Sequence, residues 1–459
     1  MRITTTNPAT GQPLTTYDPH DDTQLERLLD RAHTATSAWG STPLDRRLAV
    51  VSALAAALRA GEDQFARLIT DEMGKVRAEA AAELEKSAVT GEFYASQAST
   101  ILADEPVGID GVDAWVAYEP MGLVLAVMPW NFPFWQAMRF AIPAVAAGNG
   151  VFLKHSPNVT GCALAIEQVF LAAGLPEGVF TTIVVEEPRV PDVTRRLIAD
   201  DRIAGVTLTG SNRAGAAVGA AAGHAVKKSV LELGGSDAFV VLADADVDAA
   251  AAAAVKARFT NAGQSCVCAK RFIVEAPIAE RFIAAFVAGT RALTVGDPTD
   301  PRTNIGPMAR GDLRDTIRRQ VEESLAAGAT LLTGGRALPG SGYFFEPTIL
   351  GNTAPGIPAF DEETFGPVAA VAVAADEADA VRLANASQYG LGLSVWTADP
   401  EHGVAFARQI TTGAAFINAV VASDARLPFG GTRRSGYGRE LAAAGLREFV
   451  NTRTYWAAR

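Results

Sequence analysis

Residues 121–138 read MGLVLAVMPWNFPFWQAM, a stretch without a charged side chain that is long enough to suggest a membrane span. Pro129, Asn131 and Pro133 interrupt it in the middle, where a membrane helix needs a continuous backbone. We therefore interpret the stretch as a buried strand, then a loop, then a helix. A strand that is followed by a helix is the unit from which parallel sheets are built.

The same alternation of short apolar runs and amphipathic segments recurs around this stretch. The runs lie at Leu123–Met128, Gly150–Lys154, Phe180–Val185 and Gly205–Thr209. They predict a parallel sheet with crossover helices. A second α/β domain is predicted from near Leu231 onward. Its elements are Ala238–Leu242, an alanine-rich helix at Val247–Phe259, Arg271–Val274 and a helix that begins near Ile278.

Two further regions complete the expected organisation. Residues 20–104 have helical periodicity, with Leu44–Ala60 and Glu62–Met73 as the clearest helices. Ala114–Tyr118 and Phe449–Trp456 alternate like exposed strands and have no partner nearby in sequence. Strands of this kind often complete a sheet in another subunit, so we predict an oligomer.

The composition is that of a globular enzyme. A chain of 459 residues with 49% apolar and 20% charged side chains fits two or three packed domains and excludes a disordered or fibrous protein. The net charge of −11 argues against nucleic acid, although a local basic pocket can still hold a small anion. Three cysteines do not make a disulfide framework, and MRITTTNPATGQ lacks the apolar core of a signal peptide. We predict a cytoplasmic protein with no membrane contact and no metal site.

One cysteine lies in a context that suggests catalysis. The motif NAGQSC ends at Cys266 and follows the ELGG that begins at Glu232 by thirty-four positions. Oxidation of an aldehyde needs a nucleophile, donors for an oxyanion, a hydride acceptor and a base that activates water. We predict Cys266 as the nucleophile, Glu232 as the base, and Asn131 as a side-chain amide that joins the backbone N–H of Cys266 in an oxyanion hole. Taken singly, such residues are more often a small buried hydrophobe, a surface charge and a turn former.

Taken together, the motifs PWNFP, LELGGSD, NAGQSC, EETFGPV and PFGGTRRSGYGREL resemble the aldehyde dehydrogenase superfamily over nearly the whole chain. Within it, MPWNFPFWQAMRF, GQSC with AKRFIVE, and SGYGREL are similar to bacterial succinate-semialdehyde dehydrogenases. The resemblance implies NAD(P)+-dependent oxidation of an aldehyde through a thiohemiacetal and a thioester on Cys266. It also implies an α/β subunit that forms dimers or tetramers. The expected parts are a Rossmann-type cofactor domain at 1–110 and 122–231, a catalytic domain at 232–438, and a β oligomerisation arm at 111–121 and 439–459.

The resemblance also assigns a cofactor site. Lys154 and Glu363 are expected at the ribose hydroxyls, Phe365 near the nicotinamide, and Trp130 at a backbone contact with the nucleotide. A glycine turn at a helix start, rather than a G-x-G-x-x-G fingerprint, is expected to hold the phosphates. The residues assigned to this turn and its surroundings are Thr209, Gly210, Ser211, Gly215 and Leu233.

Residues 154–157, Lys-His-Ser-Pro, bear on the choice between NAD and NADP. NAD-preferring relatives commonly carry a glutamate where this chain has Pro157. Without that carboxylate a 2′-phosphate is not repelled, and Lys154 and Ser156 offer it partners. We predict that NADP is accepted and preferred over NAD. The alternative is that Pro157 merely starts a helix and selectivity lies elsewhere.

The substrate is predicted to be a small anionic aldehyde, most simply succinate semialdehyde. Trp135 and Arg139 follow Asn131 at steps of four, so a helix here would place all three on one face. Arg139 is then the candidate group for a carboxylate, with an internal ion pair as the alternative. The resemblance adds Ser265 and Ser423. Other succinate-semialdehyde dehydrogenases have an arginine just before the Asn-x-Gly-Gln motif, where this chain has Thr260, so Arg139 would have to bind the anion alone.

Cys268 lies two residues beyond the nucleophile, a spacing that resembles relatives in which the two thiols form a reversible disulfide. Such a bond would switch off the enzyme under oxidation, whereas the alternative is a core residue that points away. Four other functions are weighed. They are oxidation of another small aliphatic aldehyde, acyl transfer to coenzyme A, a cysteine hydrolase, and a silent structural homologue.

Overall fold

A computed structural model describes residues 2–458, so the first and last residues of the predicted domain ranges lie outside the described part of the chain. The α-helices are α1 Asp22–Gly40, α2 Leu44–Ala60, α3 Glu62–Met73, α4 Arg77–Ile101, α5 Pro133–Ala147, α6 Thr160–Ala172, α7 Val190–Ala199, α8 Asn212–His224, α9 Val247–Phe259, α10 Ala276–Arg291, α11 Gly311–Ala326, α12 Pro358–Asp361, α13 Glu377–Asn385, α14 Pro400–Ala407 and α15 Ala442–Glu448. Short 3₁₀ helices lie at Pro157–Val159, Glu187–Arg189, Thr260–Gly263 and Arg433–Ser435.

The strands form four sheets. They are β1 Ile3–Thr6, β2 Pro13–Tyr17, β3 Glu105–Ile109, β4 Val112–Pro120, β5 Leu123–Met128, β6 Gly150–His155, β7 Phe180–Ile183, β8 Ile203–Thr209, β9 Lys228–Glu232, β10 Asp237–Val241, β11 Ala269–Glu275, β12 Thr330–Thr333, β13 Thr348–Gly351, β14 Val368–Ala374, β15 Gly392–Trp396, β16 Ala414–Ile417, β17 Gly436–Tyr437 and β18 Val450–Ala458.

The first large sheet has the order β17-β9-β8-β5-β6-β7, and all its strands except β17 run parallel. The uncharged stretch at 121–138 is β5, a loop and the start of α5, as predicted. Val124 and Ala126 of β5 join one apolar cluster, and Leu123 and Leu125 join another on the opposite face. Both faces of the sheet are therefore covered, which explains why β5 reads as a continuous apolar run.

The second large sheet has the order β12-β13-β14-β11-β10-β15-β16, and only β12 pairs antiparallel. Its helices include α9, which has the predicted bounds Val247–Phe259. Two apolar clusters again cover the two faces. The predicted pair of α/β domains with parallel sheets is confirmed.

A third sheet has the order β18-β4-β3. The two strands predicted to lack local partners pair with each other, from Val450 opposite Pro120 to Ala458 opposite Val112. The sheet also contains Glu105–Ile109, which lies inside the segment assigned from sequence to the cofactor domain. Residues 442–448 form α15 instead of a strand, and α15 packs on α4 and α5. The predicted domain boundaries stay a prediction.

The uncharged stretch at 121–138 also raised the question of a membrane span. Among the helices between residues 2 and 458, none combines the length and the apolar character that crossing a bilayer requires.

Candidate active site

Cys266 lies in the loop between α9 and β11, directly after a tight turn in which Asn261 and Ala262 have φ of 54° and 52°. The thiol is half-buried and packs against an apolar cluster that includes Trp135 and Phe429. Burial raises the pKa of Cys266 to about 12, and Lys270 and Arg139 oppose that rise. This shift favours the protonated thiol at neutral pH, so a nucleophilic role of Cys266 would require a base.

The loop that carries the nucleophile is fixed by internal hydrogen bonds. The ammonium of Lys270 donates to the carbonyl oxygens of Ser265 at 2.9 Å and of Cys266 at 2.6 Å. Ser265 is buried, and its backbone is part of this support. Lys270 thus places a positive charge directly beneath the thiol loop.

Asn131 follows β5 and lies against the same loop. Its side-chain Nδ2 donates to the backbone carbonyl oxygen of Gln264 at 3.1 Å. Its backbone carbonyl oxygen accepts from Nδ2 of Asn261 at 2.8 Å. A primary amide has two N–H donors, so one remains for a ligand oxygen. The structure therefore brings Asn131 to the nucleophile loop, as the sequence predicted, and its oxyanion role stays a prediction.

Glu232 is the last residue of β9 and is 2% exposed. Burial raises the pKa of its carboxyl well above the usual value, Glu440 adds to the rise, and Arg139 opposes it. Within residues 2–458, neither carboxylate oxygen accepts a hydrogen bond. A buried carboxylate of high proton affinity is suited to accept protons near neutral pH.

Arg139 is placed differently from the sequence-based expectation. Its guanidinium forms a buried ion pair with Glu440 of the SGYGREL motif, and it lies 4.6 Å from the ring centroid of Phe429. Its remaining hydrogen bond reaches the hydroxyl of Thr209 at 3.5 Å. The internal ion pair that we weighed as the alternative is present, and the assignment of Arg139 to the substrate carboxylate stays a prediction.

Helix α4 supports both the loop that carries Cys266 and the first turn of α5. The sequence analysis did not predict this role. The carboxylate of Glu79 accepts the backbone N–H of Asn261 at 3.0 and 3.1 Å. Glu83 accepts the first free N–H groups of α5, from Phe134 at 2.8 Å and Trp135 at 2.9 Å. Glu83 also forms a buried ion pair with Lys75. Helix starts need acceptors for their free N–H groups, and these buried acids provide them.

Two predicted cofactor residues lie at the carboxyl edge of the first sheet. Strands β6 and β8 lie on opposite sides of β5, so the strand order reverses here. Nucleotides bind at this kind of topological switch point. Trp130 follows β5, and Lys154 lies in β6. Burial lowers the pKa of Lys154 to about 8, with Glu187 opposing the shift.

The glycine turn after β8 lies at the same edge. Ser211 caps α8 by accepting the N–H of Ala214 at 3.3 Å, and Gly210 donates to the backbone oxygen of Glu232 at 2.9 Å. At Gly215, a side-chain carbon would overlap Leu233. Free N–H groups at a helix start and a buried lysine at the same edge of the sheet form a donor set that fits the phosphates and ribose of a dinucleotide.

Glu363 and Phe365 reach the crevice from the second domain. Oε1 of Glu363 accepts the N–H of Gly235 at 2.9 Å and lies 3.6 Å from the ammonium of Lys270. The ring of Phe365 meets Trp130 edge to face, with centroids 5.7 Å apart. Phe365 and Trp130 are therefore in contact, although they are 235 positions apart in the sequence.

The segment that bears on cofactor choice ends in a short helix. Pro157 is the first residue of the 3₁₀ helix Pro157–Val159, and the hydroxyl of Ser156 donates to Oδ1 of Asn158 at 2.7 Å. Pro157 does start a helix, and no carboxylate occupies its position. Both of the alternatives stated for this residue are thus compatible with the fold.

Ser423 and Cys268, two further residues singled out from the sequence, have different surroundings. The hydroxyl of Ser423 accepts from the ammonium of Lys86 at 2.7 Å, and that ammonium lies 4.5 Å from the ring centroid of Trp135. Cys268 is buried, and its sulfur contacts the carbonyl oxygen of Thr260 at 3.6 Å. The described cysteines are all free. A disulfide between Cys266 and Cys268 stays a prediction.

Residues 1–455 match the model of the aldehyde dehydrogenase family. The chain is 47% identical to the succinate semialdehyde dehydrogenase [NAD(P)+] Sad of Escherichia coli K12 over 99% of this chain and 97% of that one. It is 47% identical to a probable succinate-semialdehyde dehydrogenase [NADP(+)] of Synechocystis over the full length of both. A solved succinic semialdehyde dehydrogenase from Streptococcus pyogenes, in complex with NADP+, superimposes with a TM-score of 0.96 at 37% identity over 100% of both chains.

Proposed function

Because this chain belongs to the aldehyde dehydrogenase family, we propose that it oxidises succinate semialdehyde to succinate with NAD(P)+. One observation carries the chemistry: the amide of Asn131 is hydrogen-bonded to the loop that carries the thiol of Cys266, and the buried carboxylate of Glu232 acts electrostatically on that thiol. The substrate is inferred from the names of relatives that match over the whole length. Another small aliphatic aldehyde is the second candidate.

The first half-reaction forms a bond to sulfur. Glu232 takes the thiol proton as Sγ of Cys266 attacks the aldehyde carbon, and the oxygen of the resulting thiohemiacetal is held by Nδ2 of Asn131 and the backbone N–H of Cys266. The nicotinamide cofactor supplies the hydride acceptor when bound. Loss of the hydride leaves a thioester on Cys266.

The second half-reaction hydrolyses the thioester. Glu232, after releasing its first proton to solvent, takes a proton from water, and the hydroxide formed attacks the thioester carbon. The acid leaves as the sulfur regains a proton. The raised pKa of the Glu232 carboxyl suits a group that must accept a proton in both steps.

The test is the rate of NAD(P)H formation with succinate semialdehyde, with butanal as an uncharged aldehyde of the same carbon number, and with free coenzyme A. We expect the anionic aldehyde to have the highest kcat/KM and coenzyme A to have no effect. Cys266→Ser should retain less than about one thousandth of the wild-type rate. Equal kcat/KM for both aldehydes would contradict the proposed substrate but leave the proposed chemistry intact.

We also propose that NADP+ is preferred over NAD+. Support comes from Pro157, which leaves its position without a carboxylate, and from the nearby hydroxyl of Ser156 and ammonium of Lys154. Introducing a carboxylate with Pro157→Glu should lower the ratio of kcat/KM for NADP+ over NAD+ by at least about tenfold. Pro157→Gln, which adds similar bulk without charge, is the matched control.

The proposed assembly is a dimer or tetramer in the cytoplasm. The outer edges of β18 and β3 are open within the described chain, and Trp456 on β18 is 61% exposed. A reducing compartment would keep the catalytic thiol free. Light scattering of the purified protein should give two or four times the subunit mass, and a monomer would contradict the proposal.

A further inference from the structure

Lys270 is a fully buried lysine between the predicted cofactor residue Glu363 and the nucleophile loop, and the two half-reactions described above do not use it. It lies in β11 and is 0% exposed. Its ammonium donates to the backbone oxygens of Ser265 and Cys266 and lies 3.6 Å from Oε1 of Glu363. A buried ammonium is unfavourable without specific partners, so these contacts have to stabilise its charge.

None of these partners neutralises the ammonium of Lys270 on its own. The two backbone oxygens carry no full charge, and the contact with Glu363 is longer than a hydrogen bond. Oε1 of Glu363 accepts instead from the backbone N–H of Gly235 at 2.9 Å. Burial also raises the pKa of Asp237 to about 6, and the charge of Lys270 opposes that rise. The positive charge is therefore shared among several groups and is not confined to one carboxylate.

The contact with Ser265 determines the direction of a catalytic N–H group. The carbonyl oxygen of Ser265 and the backbone N–H of Cys266 belong to the same planar trans peptide, in which C=O and N–H point in opposite directions. Because the ammonium of Lys270 holds that oxygen, the N–H of Cys266 points away from Lys270. This N–H is one of the two donors that the proposed oxyanion hole requires.

The charge of Lys270 also acts on the sulfur. Burial raises the pKa of Cys266, Lys270 of β11 and Arg139 of α5 oppose the rise, and Glu363 after α12 and Glu232 of β9 add to it. A hydrogen-bond donor at Glu363 would offset its negative charge and leave more of the positive charge of Lys270 to stabilise a thiolate. Ribose hydroxyls are such donors.

Resting on the proposed role of Cys266 as the nucleophile, we propose that Lys270 is a positioning residue that orients the backbone N–H of Cys266 and links Glu363 to the reactivity of the thiol. Lys270 forms no bond to the aldehyde in this scheme. It acts through the two carbonyl oxygens that it holds and through its charge.

The first test measures the alkylation of Cys266 by iodoacetamide in the cofactor-free enzyme as a function of pH, with Cys266→Ser as the blank. Lys270→Met keeps a side chain of similar length and removes the charge and the donors. We expect alkylation at pH 8 to slow by about tenfold, with a matching rise in the pKa of the profile. With NADP+, kcat should fall by about 10- to 100-fold for both aldehydes, and KM should stay within about threefold. Lys256→Met, which removes an exposed lysine of α9, is the control for net charge.

A second variant leaves the buried lysine in place. Glu363→Gln removes the negative charge that faces Lys270, so we expect the cofactor-free enzyme to be alkylated about three- to tenfold faster at pH 8. In the double variant with Lys270→Met, this acceleration should shrink to less than about twofold, because the group that links the two sites is gone. Glu362→Gln is the matched control, since the neighbouring carboxylate of Glu362 pairs with Arg319 instead.

The outcomes distinguish this proposal from the proposed function. Unchanged alkylation and kcat in Lys270→Met, with the fold verified by circular dichroism, would overturn the positioning role. Should Lys270→Met not fold, a wild-type alkylation rate in Glu363→Gln would overturn the link. Additive effects of the two substitutions would overturn it as well. Full activity of Cys266→Ser would instead contradict the proposed function.

Discussion

The two walls of the crevice around Cys266 are both charged, but their charges are used differently. The base wall consists of Glu232, Arg139 and Glu440, where a buried cation is matched to a buried carboxylate. The lysine wall consists of Lys86, Trp135 and Ser423, where a half-buried ammonium contacts a hydroxyl and an aromatic ring. A cation that is paired with a buried carboxylate compensates that charge and stabilises the fold. A cation without a carboxylate partner remains available to a ligand.

The largest effect is expected from Glu232→Gln on the base wall. Glutamine keeps the shape of the side chain but cannot take a proton from the thiol of Cys266 or from water, so both half-reactions should slow. We expect kcat to fall by about 10²- to 10⁴-fold with either aldehyde. Rapid-mixing measurements should show slow formation of NAD(P)H without a burst. A fast burst followed by slow turnover would limit Glu232 to hydrolysis, and undiminished turnover would remove it from both steps.

The next effect concerns Arg139→Leu, which leaves Glu440 buried without its cation. We expect a loss of about 3–5 kcal/mol in the free energy of unfolding, measured with denaturant. Arg139→Leu combined with Glu440→Leu should recover a large part of it, because no unpaired charge remains. Activity should fall alike for succinate semialdehyde and butanal. A loss of activity confined to the anionic aldehyde would show that Arg139 binds the substrate carboxylate.

The pH dependence of kcat/KM should report on the base wall. The raised pKa of Glu232 predicts that kcat/KM for both aldehydes rises with pH through a value above the ordinary range of glutamate.

Local patterns were sufficient to predict much of the fold. The bounds of α2, α3, α9 and β5 agree with those read from the sequence, because hydrophobic period, glycine and proline act over a few residues. Strand β3 was missed because Glu105–Ile109 is exposed throughout and shows no alternation. Its pairing with β4 is a tertiary contact that no local pattern encodes.

Arg139 and Lys86 also show that sequence spacing does not reveal distant partners. Spacing placed Arg139 on the inner face of α5, but its partner Glu440 is about three hundred residues away and could not be found from spacing. For Lys86 a signal was present. Glu79, Glu83 and Lys86 follow at steps of four and three, so they share one face of α4, and charged side chains on a face that packs inward indicate specific partners.

The contact between Gly215 and Leu233 has a practical consequence for redesign. Leu233 is the direct neighbour of Glu232, and Gly210 of the glycine turn is hydrogen-bonded to the backbone of Glu232. Any enlargement of the turn would displace the residue that we propose as the base for hydrolysis, so changes made there to alter the proposed cofactor preference should also slow turnover. Positions 156–158, on a separate strand end, are the better target for laboratory evolution, because they can vary without disturbing the base.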